Sequence, residues 1–229
     1  MHAVTDTRVE SLVTAVVTGL AGHADPDYVP GTVAARHPGK PVLGVRIPLL
    51  RGAVKAALKS ADLDDGGAVV FGASEALWHG RVHEAELAAA MMLRLTGTTM
   101  PATAIERWAK SLDNWLSVDE LGPVVGASLL ADPALVDDLA AMLSGSESVW
   151  QRRLYVVALI GPVKAGLSPG EVPALAELMR DPRPPLRKAC LWLINQAIKA
   201  RPDAARQFRE LLAGEEPKSV ARLLDAALV

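Results

Sequence analysis

The sequence predicts an all-α fold. Apolar residues recur at helical spacing along almost the whole chain, and sustained β alternation is absent. Short breaks rich in Pro, Gly and Asp divide it into about ten segments of roughly 10–18 residues. Near the N-terminus, Val9, Leu12, Val13, Val16 and Val17 form one apolar stripe. Pro48 opens PLLRGAVKAALKSA at a first-turn position, where the missing N–H costs nothing. Gly66–Gly67 precedes AVVFGASEALW, HEAELAAAMMLRLTG runs from His83 to its closing Gly97, and ATAIERWAKSL follows Pro101. VVGASLLA and PALVDDLAAML form a pair joined at Asp132–Pro133. VWQRRLYVVALIGPVKAG, PGEVPALAELMRD, PPLRKACLWLINQAIKAR, PDAARQFRELLAG and PKSVARLLDAALV complete the series.

Two helices per unit give a period of about 35–45 residues, that of HEAT- or armadillo-like solenoids built from stacked antiparallel helix pairs. The short, local connections favour successive stacking over an orthogonal bundle. No linker or low-complexity stretch interrupts residues 1–229, so a single domain is expected, with functional residues on the concave face of the solenoid.

Composition narrows the function classes. At 229 residues, half of them hydrophobic and 22% charged, the chain is long enough for a substantial core and has a globular balance. No run of about 18 uncharged apolar residues is present, so no membrane span is expected. The N-terminus lacks the basic-then-apolar layout of a signal peptide, and a cytoplasmic protein is expected. The single cysteine, Cys190 in ACLWLI, forms no intramolecular disulfide and reads as a buried thiol. Charge is uneven. Residues 1–143 carry 11 Lys+Arg against 17 Asp+Glu, and residues 144–229 carry 13 against 9, so the C-terminal part is basic and suited to a polyanion. Five Trp against two Phe and two Tyr is an unusual aromatic set, fitting either rings used on surfaces or gap-filling in a Leu/Val/Ala core.

The stretch DNWLSVDELGP, residues 113–123, carries the most information. Ser117 followed by Glu120 has capping-box spacing, so a helix is expected to begin at Ser117, with Asp119 at its second position. An acid there is favoured by the helix dipole alone. Pro123, four residues on, cannot donate to the Asp119 carbonyl, and a local bend beside Trp115 is expected. In SVWQRRL, Arg152 and Arg153 stand at a helix start where arginine does not help the dipole; phosphate contact and a salt bridge both account for them. In LRKACLWLIN, Arg187 and Lys188 open a helix and Trp192 follows, with core packing its default role.

Taken in order, these segments resemble the AlkD-type alkylpurine DNA glycosylases, a family built from HEAT-like repeats. The resemblance runs through LGVRIP (43–48), LWHGRVHEAELAAAMML (77–93), DNWLSVDELGP, VWQRRL (149–154) and LRKACLWLINQAIKARPD (186–203). It implies a concave DNA-binding face lined by Trp115, Asp119, Arg153 and Trp192. It further implies a monofunctional hydrolase that cuts the N-glycosidic bond of N3- or N7-alkylated purines in double-stranded DNA. Such an enzyme leaves an abasic site and uses no deep base-flipping pocket. Asp119, Trp115 and Trp192 are the expected catalytic residues; Arg153, Arg152, Arg187, Lys188, Arg46 and Trp150 are the expected DNA contacts. A monomer acting on the bacterial nucleoid, with no cofactor, is expected.

One departure stands out. Where family members often carry an aromatic residue near the lesion, this chain has AARHPGKPV (34–42), with no ring beyond His37. Either a contact is lost, or room is made for a larger adduct, as in self-resistance glycosylases of antibiotic producers. The Ala-, Val-, Arg-, Gly- and Pro-rich composition suits the GC-rich genomes in which such producers occur. His79 and His83 stand four apart across an expected loop, and a helix-start capping role suits them better than a metal site, which is not expected. P-loop, G-x-G-x-x-G and G-x-S-x-G motifs are absent, and nothing near Lys110 would depress its pKa for a lyase step. A non-catalytic helical-repeat scaffold for DNA or protein is the alternative from another class.

Overall fold

In the computed structural model, residues 2–63 and 67–228 are described, with side chains from residue 7 onward. Gly66 of the expected Gly66–Gly67 break lies outside them. The described residues form fourteen α-helices and no strands, as the helical periodicity predicts. Helix pairs pack against their chain neighbours in the manner of a helical-repeat solenoid. The chain divides into two compact units: residues 1–100 with 113–124, and residues 101–112 with 125–229.

The first unit holds α1 (His2–Ala21), α2 (Val29–Arg36), α3 (Ile47–Ser60), α4 (Ala68–His79), α5 (His83–Thr96) and the start of α7 (Trp115–Ala131). Its centre is α5, in contact with α1, α3 and α4. Every residue from His83 to Leu93 is buried. The alanines make this possible, because small side chains let neighbouring backbones approach on all sides, and a helix apolar all round is a core helix. The stripe on α1 is turned slightly from the expected one: Leu12, Val16 and Leu20 are buried, while Val17 faces solvent. Helix α2 was not legible in the sequence. It buries only Thr32, so it lacks an apolar stripe to reveal it.

Glu84, at the start of the most buried helix, is itself buried, and three backbone N–H groups compensate it. Leu43 donates to Oε2 at 2.9 Å; Gly44 and Val45 donate to Oε1 at 2.9 and 3.2 Å. The LGVR segment is thereby wrapped onto α5. Gly44 must be glycine: its φ is +80°, and a Cβ would fall 2.1 Å from the Asp25 carbonyl oxygen. His83 does not cap the helix. Val82 occupies the cap position, and the imidazole is fully buried with no hydrogen bond on either ring nitrogen. Burial depresses its pKa to about 4, with Glu84 opposing the shift.

The second unit holds α6 (Ala102–Ala109), the rest of α7, α8 (Leu135–Leu139) with a wide turn at Ala140–Ser144, α9 (Val149–Ala158), α10 (Ile160–Ala165), α11 (Leu175–Arg180), α12 (Pro184–Ala200), α13 (Ala204–Leu212) and α14 (Lys218–Leu228). Helix α12 is its hub, packing on α9, α10, α11, α13 and α14. At Gly126 a Cβ would lie 2.6 Å from the Ala158 carbonyl oxygen, so glycine allows α7 and α9 to touch closely. Cys190 is buried as expected; its thiol is pushed up to about 12 by burial and lies 3.6 Å from the Leu178 carbonyl oxygen. Among the described residues no helix is long and apolar enough to cross a membrane, and no cluster of three or more His, Cys, Asp or Glu is placed to hold a metal.

Two outcomes are expected. Glu84→Ala leaves three backbone donors without their acceptor and should lower unfolding free energy by roughly 2–5 kcal/mol in urea titrations. In the unfolded chain His83 takes up a proton near its ordinary 6.5, but in the fold only near 4, so its contribution is lost as pH falls through that window. His83→Leu should therefore gain about 1–2 kcal/mol relative to the parent between about pH 7.5 and pH 5, read from paired denaturation curves.

Candidate active site

Helix α7 starts at Trp115, three residues earlier than the Val118 start that capping by Ser117 predicts. Asn114 is the capping residue. Its Oδ1 accepts from the backbone N–H groups of Leu116 and Ser117, both at 3.0 Å. Ser117 is buried in the first turn, and Glu120 pairs with Arg94 at 3.1 Å instead of closing a capping box. Asp119 is consequently the fifth residue of the helix, beyond the first turn. The dipole that would explain an ordinary first-turn acid has faded there. The helix also continues through Pro123 without a break. Proline still withholds the N–H that the Asp119 carbonyl would otherwise receive.

The earlier start sorts the side chains by face. Trp115 and Asp119 stand one turn apart on the same face. Trp115 is 40% exposed and Asp119 is half-buried. The Trp115 indole N–H donates to the Ala35 carbonyl at 3.3 Å, so the last turn of α2 edges the ring. The opposite face of the same turns carries Asn114, Ser117, Val118 and Leu121, all buried.

Beneath that buried face lies a polar ring that no sequence motif marks. Lys40 Nζ is 2.6 and 2.7 Å from the two Glu86 carboxylate oxygens and 3.3 Å from Asp113 Oδ2. Asp113 also accepts from the Gly39 N–H at 2.8 Å and from Asn114 Nδ2 at 2.7 Å. Asn114 Nδ2 reaches Ser117 Oγ at 3.0 Å, and Ser117 Oγ donates to Glu86 at 3.5 Å, which closes the ring. The Lys40 side chain is 2% exposed and that of Glu86 0%. Burial pushes the Glu86 carboxyl up to about 7, against the pull of Lys40. A signal existed: in an alanine-rich helix buried all round, two carboxylates two residues apart point to different sides, and each requires a partner. In consequence AARHPGKPV is a helix end and a tight turn anchored on both sides.

In the second unit the two arginines of α9 take different positions. Arg152 is engaged as a salt bridge: its Nε donates to the Ser146 carbonyl and its Nη1 lies 3.1 Å from Asp181. Asp181 also binds Arg183, and hydrogen bonds from Arg183 and then Arg152 hold its carboxyl down at about 2. Arg153 is 6% exposed and donates to the Pro185 carbonyl at the start of α12. The next turn of α12 presents Arg187 and Lys188 to solvent, followed by half-buried Trp192. Trp150, at the start of α9, is also half-buried. The tryptophans thus divide: Trp78 and Trp108 fill the core, while Trp115, Trp150 and Trp192 reach the surface. Part of the positive excess is consumed internally, by Arg180–Glu215 and by Arg209 with Glu216 and Asp225. In the first unit Arg46 remains exposed, 3.6 Å from Asp25 and stacked 5.0 Å above the Tyr28 ring. A cavity of about 420 Å³ in the second unit, walled by Leu129, Pro133, Val136 and Pro162 with Asp137 and Glu171, contains none of these residues.

No curated protein matches the chain significantly. The model of the family described as DNA alkylation repair enzyme matches residues 16–222, nearly the whole chain. The protein belongs to that family, the DNA alkylation repair enzymes, and acts in the repair of alkylated DNA.

Proposed function

We propose that the protein is a monofunctional DNA glycosylase that hydrolyses the N-glycosidic bond of N3- and N7-alkylated purines. The observation that carries this reading is the pairing of Trp115 and Asp119 on one accessible helical face, with Asp119 set past the turn where a capping role would explain it.

Alkylation at N3 or N7 leaves the purine cationic, so the base departs as a neutral leaving group without first being protonated. Positive charge then builds on the deoxyribose, as in other glycosidic cleavages. The Asp119 carboxylate opposes that charge and orients the water that adds to C1′; the proton lost by the water passes to solvent. Fixed negative charge beside a developing cation is worth more in a partly dehydrated site than in water. Trp115 offers an aromatic face to the cationic nucleotide and its sugar, and Trp192, in the second unit, is a ring of the same kind. Arg187, Lys188 and Arg46 are exposed cations suited to phosphates of double-stranded DNA. Arg153, held at the start of α12 by its hydrogen bond to the Pro185 carbonyl, is a further candidate for a phosphate contact. Arg152 acts mainly by holding α9 to Asp181. The protein works as a monomer without a cofactor.

One observation favours bulky adducts over small ones. Residues 34–42, whose Ala35 carbonyl accepts from the Trp115 indole N–H, carry no ring beyond His37, and Trp115 is 40% exposed. Faster excision of a large N3 or N7 adduct than of a methyl group supports this preference.

Asp119→Asn should lower single-turnover excision by at least about a hundredfold, since one well-placed electrostatic group is typically worth about 3 kcal/mol in a transition state. DNA affinity in a filter-binding or anisotropy titration should change less than about threefold. An unchanged excision rate rules out Asp119 as the catalytic carboxylate.

A further inference from the structure

We propose that Lys40 is the positioning residue of this site: through Asp113 and Glu86 it fixes the first turn of α7 and so sets the direction in which Trp115 and Asp119 project. The proposal rests on the glycosylase reading for its activity readout, and it has a second readout that does not.

The observations form a chain of named contacts. Lys40 lies in the turn after α2, far in sequence from α7, yet its ammonium is buried between Glu86 on α5 and Asp113 just before α7. Asp113 holds Asn114, and Asn114 caps the helix whose first residue is Trp115. Ser117, two residues before Asp119, is held from the other side by Asn114 and Glu86. One cation therefore links both fixed points of the turn that carries the two functional side chains. The same turn of chain is tied twice more: Gly39 N–H binds Asp113, and the Ala35 carbonyl receives the Trp115 indole N–H.

A buried ion pair is seldom a net source of stability, because desolvation offsets the attraction, and specifying a geometry is one use for which such pairs are retained. Loss of Lys40 leaves Glu86 able to take up a proton, so the fold should survive while the direction of α7 relaxes. Catalysis is sensitive to displacements of about 1 Å, and such a relaxation should appear in the chemical step more than in binding.

The test compares Lys40→Met, Asp113→Asn, the double variant and Lys40→Arg in the full chain. Expected are a fall of about ten- to a hundredfold in single-turnover excision of an N7-methylguanine duplex, DNA affinity within about threefold, and partial recovery in Lys40→Arg. The double variant should be no slower than the slower single variant, because both break one ring. Val16→Ala, a core change on α1, serves as a control of comparable destabilisation and should excise at the parental rate. Parental excision by Lys40→Met, additive losses in the double variant, or an equal loss in Val16→Ala would each overturn the proposal. Fluorine NMR of fluorotryptophan-labelled protein, with the Trp115 signal assigned by Trp115→Phe, supplies the independent readout. If the parent excises no lesion, the glycosylase reading fails and this signal alone decides. A shifted or broadened Trp115 resonance in Lys40→Met supports positioning, and an unchanged one overturns it.

Discussion

Two carboxylates on the most buried helix of the first unit organise much of what surrounds them. Glu84 and Glu86 sit in α5, which presents no face to solvent between His83 and Leu93. A buried carboxylate without partners is too costly to persist, so each must recruit compensation from elsewhere. Glu84 recruits backbone: the N–H groups of Leu43, Gly44 and Val45 converge on it, and Gly44 supplies the conformation and the missing side chain that this wrap requires. Glu86 recruits a cation, Lys40, and through it Asp113 and the first turn of α7. The turns after α2 and before α7 are thus tied to the carboxylates of α5.

The consequence is a division of labour within one helix turn. One face of the start of α7 is committed to the buried ring, and the other carries Trp115 and Asp119 outward. Rigid backing behind an accessible aromatic and an acid is the arrangement an electrostatic catalyst needs, because the field at the reacting atoms must not relax when charge develops. The second unit repeats the theme in another form. Asp181 binds Arg152 and Arg183 near the start of α9, while Arg153 ties α9 to the start of α12, and Arg187 and Lys188 of the next turn are exposed. Membership in the DNA alkylation repair enzymes makes damaged DNA the substrate of the protein.

How much of this was legible in the sequence depended on the kind of signal. Helical periodicity revealed the fold class and most helices, because burial of an apolar face sets the residue spacing. It missed α2, which buries a single threonine. The start of α7 was misplaced because Asn114 and Ser117 are both good capping residues, and spacing alone cannot choose between them. The choice is tertiary: Ser117 is drawn under by Glu86, 31 positions away in sequence. That shift moved Asp119 out of the first turn and removed the simplest alternative to a functional role. Trp115 was recognisable because it lies in a motif. Lys40 was hidden, since a lysine between Pro-Gly and Pro reads as a solvated turn. Only the contradiction of two acids in an alanine-rich core helix pointed to a buried cation.

Under the proposed function, this scaffold presents a carboxylate and aromatic faces for breaking a glycosidic bond in alkylated DNA. Product analysis of the unmodified protein tests it most directly. A duplex containing one N7-alkylguanine is incubated with the protein, and free base and strand ends are measured together. A monofunctional glycosylase releases the intact alkylated base and leaves an unbroken strand that is cut only after alkali treatment. Tight binding with no base released, for methyl and bulky lesions alike, would contradict the proposed function and leave a DNA-binding scaffold.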